Sequence, residues 1–283
     1  MLGTNAACLV RARRADTKPV QIGQTASLAE LTSRIEKFGA IQTLRADVQL
    51  QLSFLEQDEE SIKEFSNVSG FILIQRPGAI RVRAQVPVVR STALDMASSG
   101  TTFQVHVPSR DRFLVGDTAL SAPSPKRLDN VRPQHILEAL LIAPPEAEQE
   151  KPALENVIEG GAAFHVVELI APAAEGEELR LMRKIWFDRA DLSITRQQIF
   201  DDKGNVVTNA WYREWADEDG VPFPHYVFIS RPLDGYDLQV RILKVTLNGA
   251  VAENAFELTP PPGTKVERIE AAAEAAASGA VNP

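Results

Sequence analysis

Val48, Leu50, Leu52 and Phe54 alternate with Asp47, Gln49, Gln51 and Ser53. A period of two puts the apolar set on one face of an extended strand and the polar set on the other. The pattern recurs: Ile80, Val82, Ala84 and Val86 alternate with Arg81, Arg83 and Gln85, and Phe103, Val105 and Val107 alternate with Thr102, Gln104 and His106. The apolar run 71–74 ends at Arg76-Pro77-Gly78, a turn sequence, and Pro87 closes the strand that follows. Further strands are expected at 163–169, 179–188, 193–200, 206–215, 227–231 and 238–247. Polar turns at 201–205, Asp219-Gly220 and Asp234-Gly235 separate the later ones. A chain that repeats one-sided strands at this spacing is mainly β and builds an antiparallel barrel or half-barrel around an apolar interior.

Two helices interrupt the pattern. Ser27 and Glu30 form a capping-box sequence, Leu28, Leu31, Ile35 and Phe38 follow at helical spacing, and Gly39 stops the run. Pro133 opens a second, short helix whose Ile136, Leu137, Leu140 and Leu141 are strongly apolar. Pro144-Pro145 ends it, and a charged loop is expected through Lys151. An oily helix between strands reads as a lid or plug, and equally as ordinary core packing. Residues 1–24 are expected to form a flexible tether and 25–268 one β domain, closed by Pro260-Pro261-Pro262-Gly263. Residues 269–283 are an Ala-rich tail expected to be disordered.

The net charge of -8 argues against nucleic acid, because no basic field exists to neutralise phosphates. No stretch of about 18 apolar residues encodes a membrane-spanning helix. The one cysteine, Cys8, allows no internal disulfide. Ala6-Ala7-Cys8 is similar to the end of a bacterial lipoprotein signal without its apolar part, although Asn5 stands where an aliphatic residue is usual. On that reading Cys8 is lipidated and the natural start lies upstream; a free thiol in a leader is the plain alternative.

Nothing in the sequence assembles a catalytic, metal or cofactor motif. His106, His135, His165 and His225 have no HExxH or CxxC partners, and structural roles are expected for all four. His135, at the start of the oily helix, is placed to cap or contact it. There is no GxSxG elbow and no phosphate-binding glycine loop. A glycosidase-type carboxylate pair would leave no local signature. Arg76 stands out instead. Ile72, Ile74 and Arg76 share a face, so a concave face there would hang a guanidinium at the mouth of an oily cavity. An exposed turn arginine beside Pro77 fits the periodicity as well. The candidate ligand-binding set is Arg76 with Val48, Leu50, Leu52, Phe54, Ile72, Ile74, Ile80, Val82 and Val86 of one apolar face, and Ile136 and Leu140 of the lid.

Three segments resemble the lipoprotein carrier family LolA and its acceptor relative LolB. They are Leu31-Thr32-Ser33-Arg34-Ile35-Glu36-Lys37; Gly70-Phe71-Ile72-Leu73-Ile74-Gln75-Arg76-Pro77 with Ser98-Ser99-Gly100-Thr101-Thr102-Phe103; and Asn248-Gly249-Ala250-Val251 with Phe256-Glu257-Leu258-Thr259-Pro260-Pro261-Pro262-Gly263-Thr264-Lys265-Val266. The resemblance implies an incomplete barrel closed by short helices around a hydrophobic cavity, with Arg76 as the arginine that ties the lid shut. It implies a non-enzymatic monomer that binds lipids or lipidated proteins in the periplasm, anchored to the outer membrane if Cys8 is lipidated. Ile80 stands near the position of the family's exposed aromatic, and residues between Pro108 and Leu179 exceed the family length. Two other readings stay open: an envelope sensor on the same fold, and an enzyme acting on a hydrophobic or glycan substrate. An all-apolar cavity favours the carrier, a second core after residue 150 the sensor, and a convergent polar cluster with perturbed carboxylates the enzyme.

Overall fold

A computed structural model describes residues 22–55, 62–86, 91–119, 124, 127–173 and 178–269. Helix α1 spans Leu28–Gly39, and the Ser27 hydroxyl accepts from the Glu30 N–H at 3.2 Å, as the capping sequence requires. Glu30 in the first turn and Lys37 in the last both suit the helix dipole. Leu31, Ile35 and Phe38 are buried. A Cβ on Gly39 would meet the Pro144 ring at 2.7 Å, so the end of α1 packs directly on the chain that follows the second helix.

The strands form two meanders. The first comprises β1 (Thr43–Leu55), β2 (Ile62–Gln75), β3 (Ala79–Gln85), β4 (Thr92–Ser98), β5 (Thr102–Val107) and β6 (Arg112–Asp117). The chain then crosses through α2 (Pro133–Leu140) into the second, β7 (Lys151–Glu159), β8 (Ala162–Pro172), β9 (Leu179–Asp188), β10 (Ile194–Phe200), β11 (Val206–Glu218), β12 (Val221–Arg231) and β13 (Tyr236–Leu247). Strand β13 returns to pair antiparallel with β1, which fuses the meanders into one curved sheet. The last strand, β14 (Lys265–Ile269), adds in parallel to β6. The order runs β14-β6-β5-β4-β3-β2-β1-β13-β12-β11-β10-β9-β8-β7, open at both ends: a half-barrel.

The seam between the halves follows the alternation. Val48 faces Ile242, Leu50 faces Val240, Leu52 faces Leu238 and Phe54 faces Tyr236, and all eight are buried. Such cross-strand apolar pairs are the unit of sheet stabilisation, worth about 0.2–1 kcal/mol each beyond Ala–Ala. Ile72, Ile74, Ile80, Val82 and Ala84 point the same way and are buried. Gln49 is exposed, and Gln51, Arg81 and Arg83 are half-buried on the opposite face. Val86 departs from expectation. Strand β3 ends at Gln85 after a register shift at Ala84/Gln85, so Val86 lies past the strand and is 40% exposed.

Several strands escape the periodicity. Strands β4, β6, β7 and β14 are not foreseen, and β2 and β12 begin well before their apolar runs. Strand β7 starts at Lys151, where the charged loop was expected to end, and is a nine-residue edge strand exposed along most of its length. An edge strand with two wet faces shows no alternation. Strand β12 accommodates Pro222 and Pro224 opposite Asp217 and Trp215. Beyond the proline run the chain continues into β14, which carries the sheet through Ile269, one residue past the expected end of the domain. The outer face holds the connecting segment: Arg81 grips Asp95 with two bonds of 3.0 and 3.1 Å and donates to the Ala255 and Glu257 carbonyls. Residues 1–21 and 270–283, and the acidic stretch 56–60, lie outside the described residues.

Candidate functional site

The site is built where turns of the first meander meet both helices. Gly78 in the β2–β3 turn is needed for close approach, since a Cβ there would sit 2.9 Å from Gly100 Cα in the β4–β5 turn. That contact fixes Arg76 beside the end of α1. The Arg76 backbone N–H donates to Gln42 O at 2.9 Å, Nε donates to Ile41 O at 2.9 Å, and Nη2 donates to Phe38 O at 3.3 Å. The last carbonyls of a helix lack intrahelical partners and carry the negative end of its dipole, so a guanidinium is their natural cap. Burial lowers the pKa of Arg76. The arginine foreseen as a latch thus closes on α1 and the α1–β1 loop, not on the oily helix.

The apolar candidates come together. Val48, Leu50, Leu52, Phe54, Ile72, Ile74, Ile80 and Val82 share one buried cluster with Ile136 and Leu140 of α2 and with Leu31, Ile35 and Phe38 of α1. The hollow of the sheet is therefore filled by helix side chains, and Val86 is the one candidate left outside the cluster. Helix α2 packs on β3, β4, β11 and β12 and so bridges the two halves. Polar ties fix it. The Tyr212 hydroxyl donates to Ala139 O at 2.8 Å, Gln134 Nε2 donates to Ser98 Oγ, and His135 Nδ1 lies 2.7 Å from the Tyr236 hydroxyl. Complete burial holds the His135 pKa well below its ordinary value, with Arg231 and Arg132 adding to the effect, so the ring is neutral. The other histidines also make structural contacts. His165 Nδ1 meets Asn156 Oδ1 at 2.6 Å and its Nε2 accepts from the Ala26 N–H; His225 faces Glu218 at 2.8 Å; His106 lies near the Phe113 ring. Cys8 lies outside the described residues.

A cavity of about 940 Å³ opens at this end of the half-barrel. Its larger apolar lining residues are Leu137 of α2, Leu141 just past its end, Ile199, Val207 and Leu233. Charged side chains line it as well: Arg76, Arg132, Arg183 and Arg231 with Glu138, Glu146, Glu150, Asp201 and Asp234. Arg183 holds Glu150 at 2.6 and 3.2 Å and caps the Ala143 and Pro144 carbonyls. Arg231 donates to Asp234 at 2.7 Å and to Thr208 Oγ1 at 2.6 Å. Arg132 lies over the Phe103 ring at 5.7 Å. Glu138 is exposed to solvent on the cavity wall, and its pKa is raised by desolvation against the pull of Arg231 and Arg183. The cavity is thus not the all-apolar hollow expected of a plain carrier, and it contains one perturbed carboxylate. Its ion pairs are closed on each other, and the buried hydroxyl beside His135 belongs to Tyr236, whose own pKa burial raises. Buried residues from both sides of residue 150 form one core, which removes the second-core feature attached to the sensor reading.

These features define a class of protein by fold: an open β half-barrel closed by two short helices. The structure is similar to that of a DUF1329 family protein from Desulfovibrio piger, with 12% identity over 85% of this chain and 98% of that one and a TM-score of 0.53. At this identity the likeness is one of fold. The structural neighbours also include a LolA superfamily protein from Nitrosomonas europaea, 12% identical over 83% of this chain and 99% of that one, TM-score 0.49. No protein-family model matches the sequence, and no curated protein matches it.

Proposed function

We propose that this protein binds acylated ligands, lipids or lipidated proteins, between its curved sheet and its two helices, and carries or accepts them in the cell envelope without catalysing a reaction. The observation that carries this reading is the Arg76 latch. A guanidinium from the β2–β3 turn holds the end of α1 over an aliphatic wall by two side-chain bonds to carbonyls. Bonds to a charged donor are worth about 1.5–3 kcal/mol each. Each methylene of an acyl chain buried beside Val48, Leu50 or Ile74 contributes about 0.8 kcal/mol. A chain of a dozen carbons therefore outweighs the latch by about twofold, which is the balance a loading and unloading protein needs. On this proposal residues 1–24 are the tether, Cys8 is the lipid-bearing residue, the site of action is the periplasm or outer membrane, and the protein works as a monomer.

The test is the transfer of a bound fluorescent fatty acid to acceptor vesicles, wild type against Arg76→Leu, at matched thermal stability. Arg76→Leu replaces a partly buried charge by an apolar group and should fold. Release should quicken several-fold while uptake changes little, because the apolar wall is untouched. Equal transfer rates would reduce Arg76 to a turn residue and remove the basis of the reading. The perturbed Glu138 favours a second reading, an enzyme acting on a hydrophobic or glycan substrate. That reading requires Glu138→Gln to abolish a turnover that wild type displays.

A further inference from the structure

A second, smaller cavity of about 170 Å³ shares no lining residue with the mouth cavity. It sits between the last turns of α1 and the β9–β10 turn, with Trp215 of β11 and Pro222 of β12 completing its wall. Phe38, Phe187, Leu192 and Ile194 make its apolar body, and all four are buried. Leu192 holds a left-handed conformation at φ 60°, which an L-residue keeps only where its surroundings impose it. The Trp215 ring stands edge-on to Phe38 at 6.1 Å and tilted against Tyr212 at 6.2 Å. Its indole N–H is buried, yet nothing accepts a hydrogen bond from it among the described residues. The Nε of Arg34, one turn back along α1, is buried and unpartnered in the same way. Two orphaned donors on residues that line one cavity call for an acceptor that the described residues do not supply. The charged residues of the lining are Arg34, the exposed Lys37 and the exposed Asp191, which accepts from the Ser193 N–H at 2.8 Å. Two cations against one carboxylate leave a single positive charge in excess.

We infer that this cavity is a second binding site, for a small monocarboxylate that carries one ring or a short branched chain. The site goes beyond the proposed acyl binding and does not rest on it. The carboxylate accepts from Arg34 and from the Trp215 N–H, and its one negative charge matches the excess. The apolar body of the ligand packs on Phe38, Phe187 and Ile194. An apolar cavity of about 150 Å³ takes benzene, so this one has room for one ring, with the carboxylate at the charged rim. A long acyl chain does not fit. A neutral amide of the same shape lacks the charge, and a phosphate monoester carries more than the lining balances.

The experiment is titration calorimetry of the full chain with phenylacetate, beside phenylacetamide and phenyl phosphate. Wild type should bind phenylacetate with a Kd of about 0.1–1 mM, the affinity open to a ligand of so few atoms, and the two analogues about tenfold more weakly. Arg34→Met keeps the stem, removes the charge and should weaken phenylacetate about tenfold. Trp215→Phe keeps an aromatic ring without the N–H and should weaken it several-fold. A change in tryptophan emission should accompany binding in wild type and be absent from Trp215→Phe. Arg76→Leu, which alters the mouth cavity alone, should bind phenylacetate as wild type does. Thermal melts of the three variants confirm that each is folded at the titration temperature. No binding by wild type, equal affinity for the amide or the phosphate, or unchanged affinity in Arg34→Met overturns the inference. Loss of binding in Arg76→Leu also overturns it, because the ligand then occupies the mouth.

Discussion

Glu138 gives the cavity a measurable pH signature. Desolvation raises its folded-state pKa above the ordinary glutamate value, against the opposing pull of Arg231 and Arg183. The neutral carboxyl is therefore the form the fold prefers. Its contribution to stability is complete below the unfolded-state pKa of about 4.3 and is lost as pH rises through the folded-state value. Glu138→Gln mimics the protonated group. Wild type and variant should melt together near pH 4, and wild type should fall progressively below the variant as pH is raised; a difference independent of pH would show that the carboxyl is not desolvated in solution. Arg76 was legible at this scale from its phase with Ile72 and Ile74 and its place before Pro77. Glu138 was not, because a glutamate between Leu137 and Ala139 on a short helix reads as a solvated edge position. Only the tertiary structure brings β10, β11 and the β12–β13 turn beside it to make the wall of a cavity.

At the scale of elements, β14 is tied to β6 by one arginine as well as by its backbone pairing. Arg112 of β6 holds Asp129 with bonds of 3.0 and 3.1 Å and holds Glu267 of β14 from the same guanidinium. The two carboxylates, Asp129 foremost, raise the Arg112 pKa. Arg112→Met should cost about 2–3 kcal/mol, since it leaves the mostly buried Asp129 without this partner. Amide exchange should quicken at Val266 and Arg268 while β1 and β13 stay protected. Unchanged exchange in β14 would mean that the parallel pairing with β6 holds by itself. The two helices and the alternating strands were readable because each has one dry face. Strand β14 was not, since its Lys265–Ile269 sequence alternates weakly and its partner lies some 150 residues earlier in the chain. Strand β7 escaped for the related reason that an exposed edge strand is free of the patterning that burial imposes.

For the whole molecule, the seam between β1 and β13 decides how the chain unfolds. One apolar cluster takes residues from both meanders and from both helices, and α2 packs on strands of each half. Neither half covers its own dry face. Calorimetric unfolding should therefore show a single transition with equal calorimetric and van't Hoff enthalpies. Two resolved transitions would show that the meanders are separate folding units and that the seam is an interface.

The sequence by itself determined the class of fold, the inward face of β1, β2, β3 and β5, the capped first helix, the oily second helix and the conspicuous arginine. Each of these follows from local periodicity or from steric rules that act over a few residues. The tertiary structure alone decided that the helices fill the hollow, that Arg76 closes on α1 instead of α2, that Val86 falls outside the core and that the mouth is charged. Those outcomes depend on which distant segments the β1–β13 seam brings together, and no spacing along the chain encodes the distance between Arg76, Glu138 and Arg231.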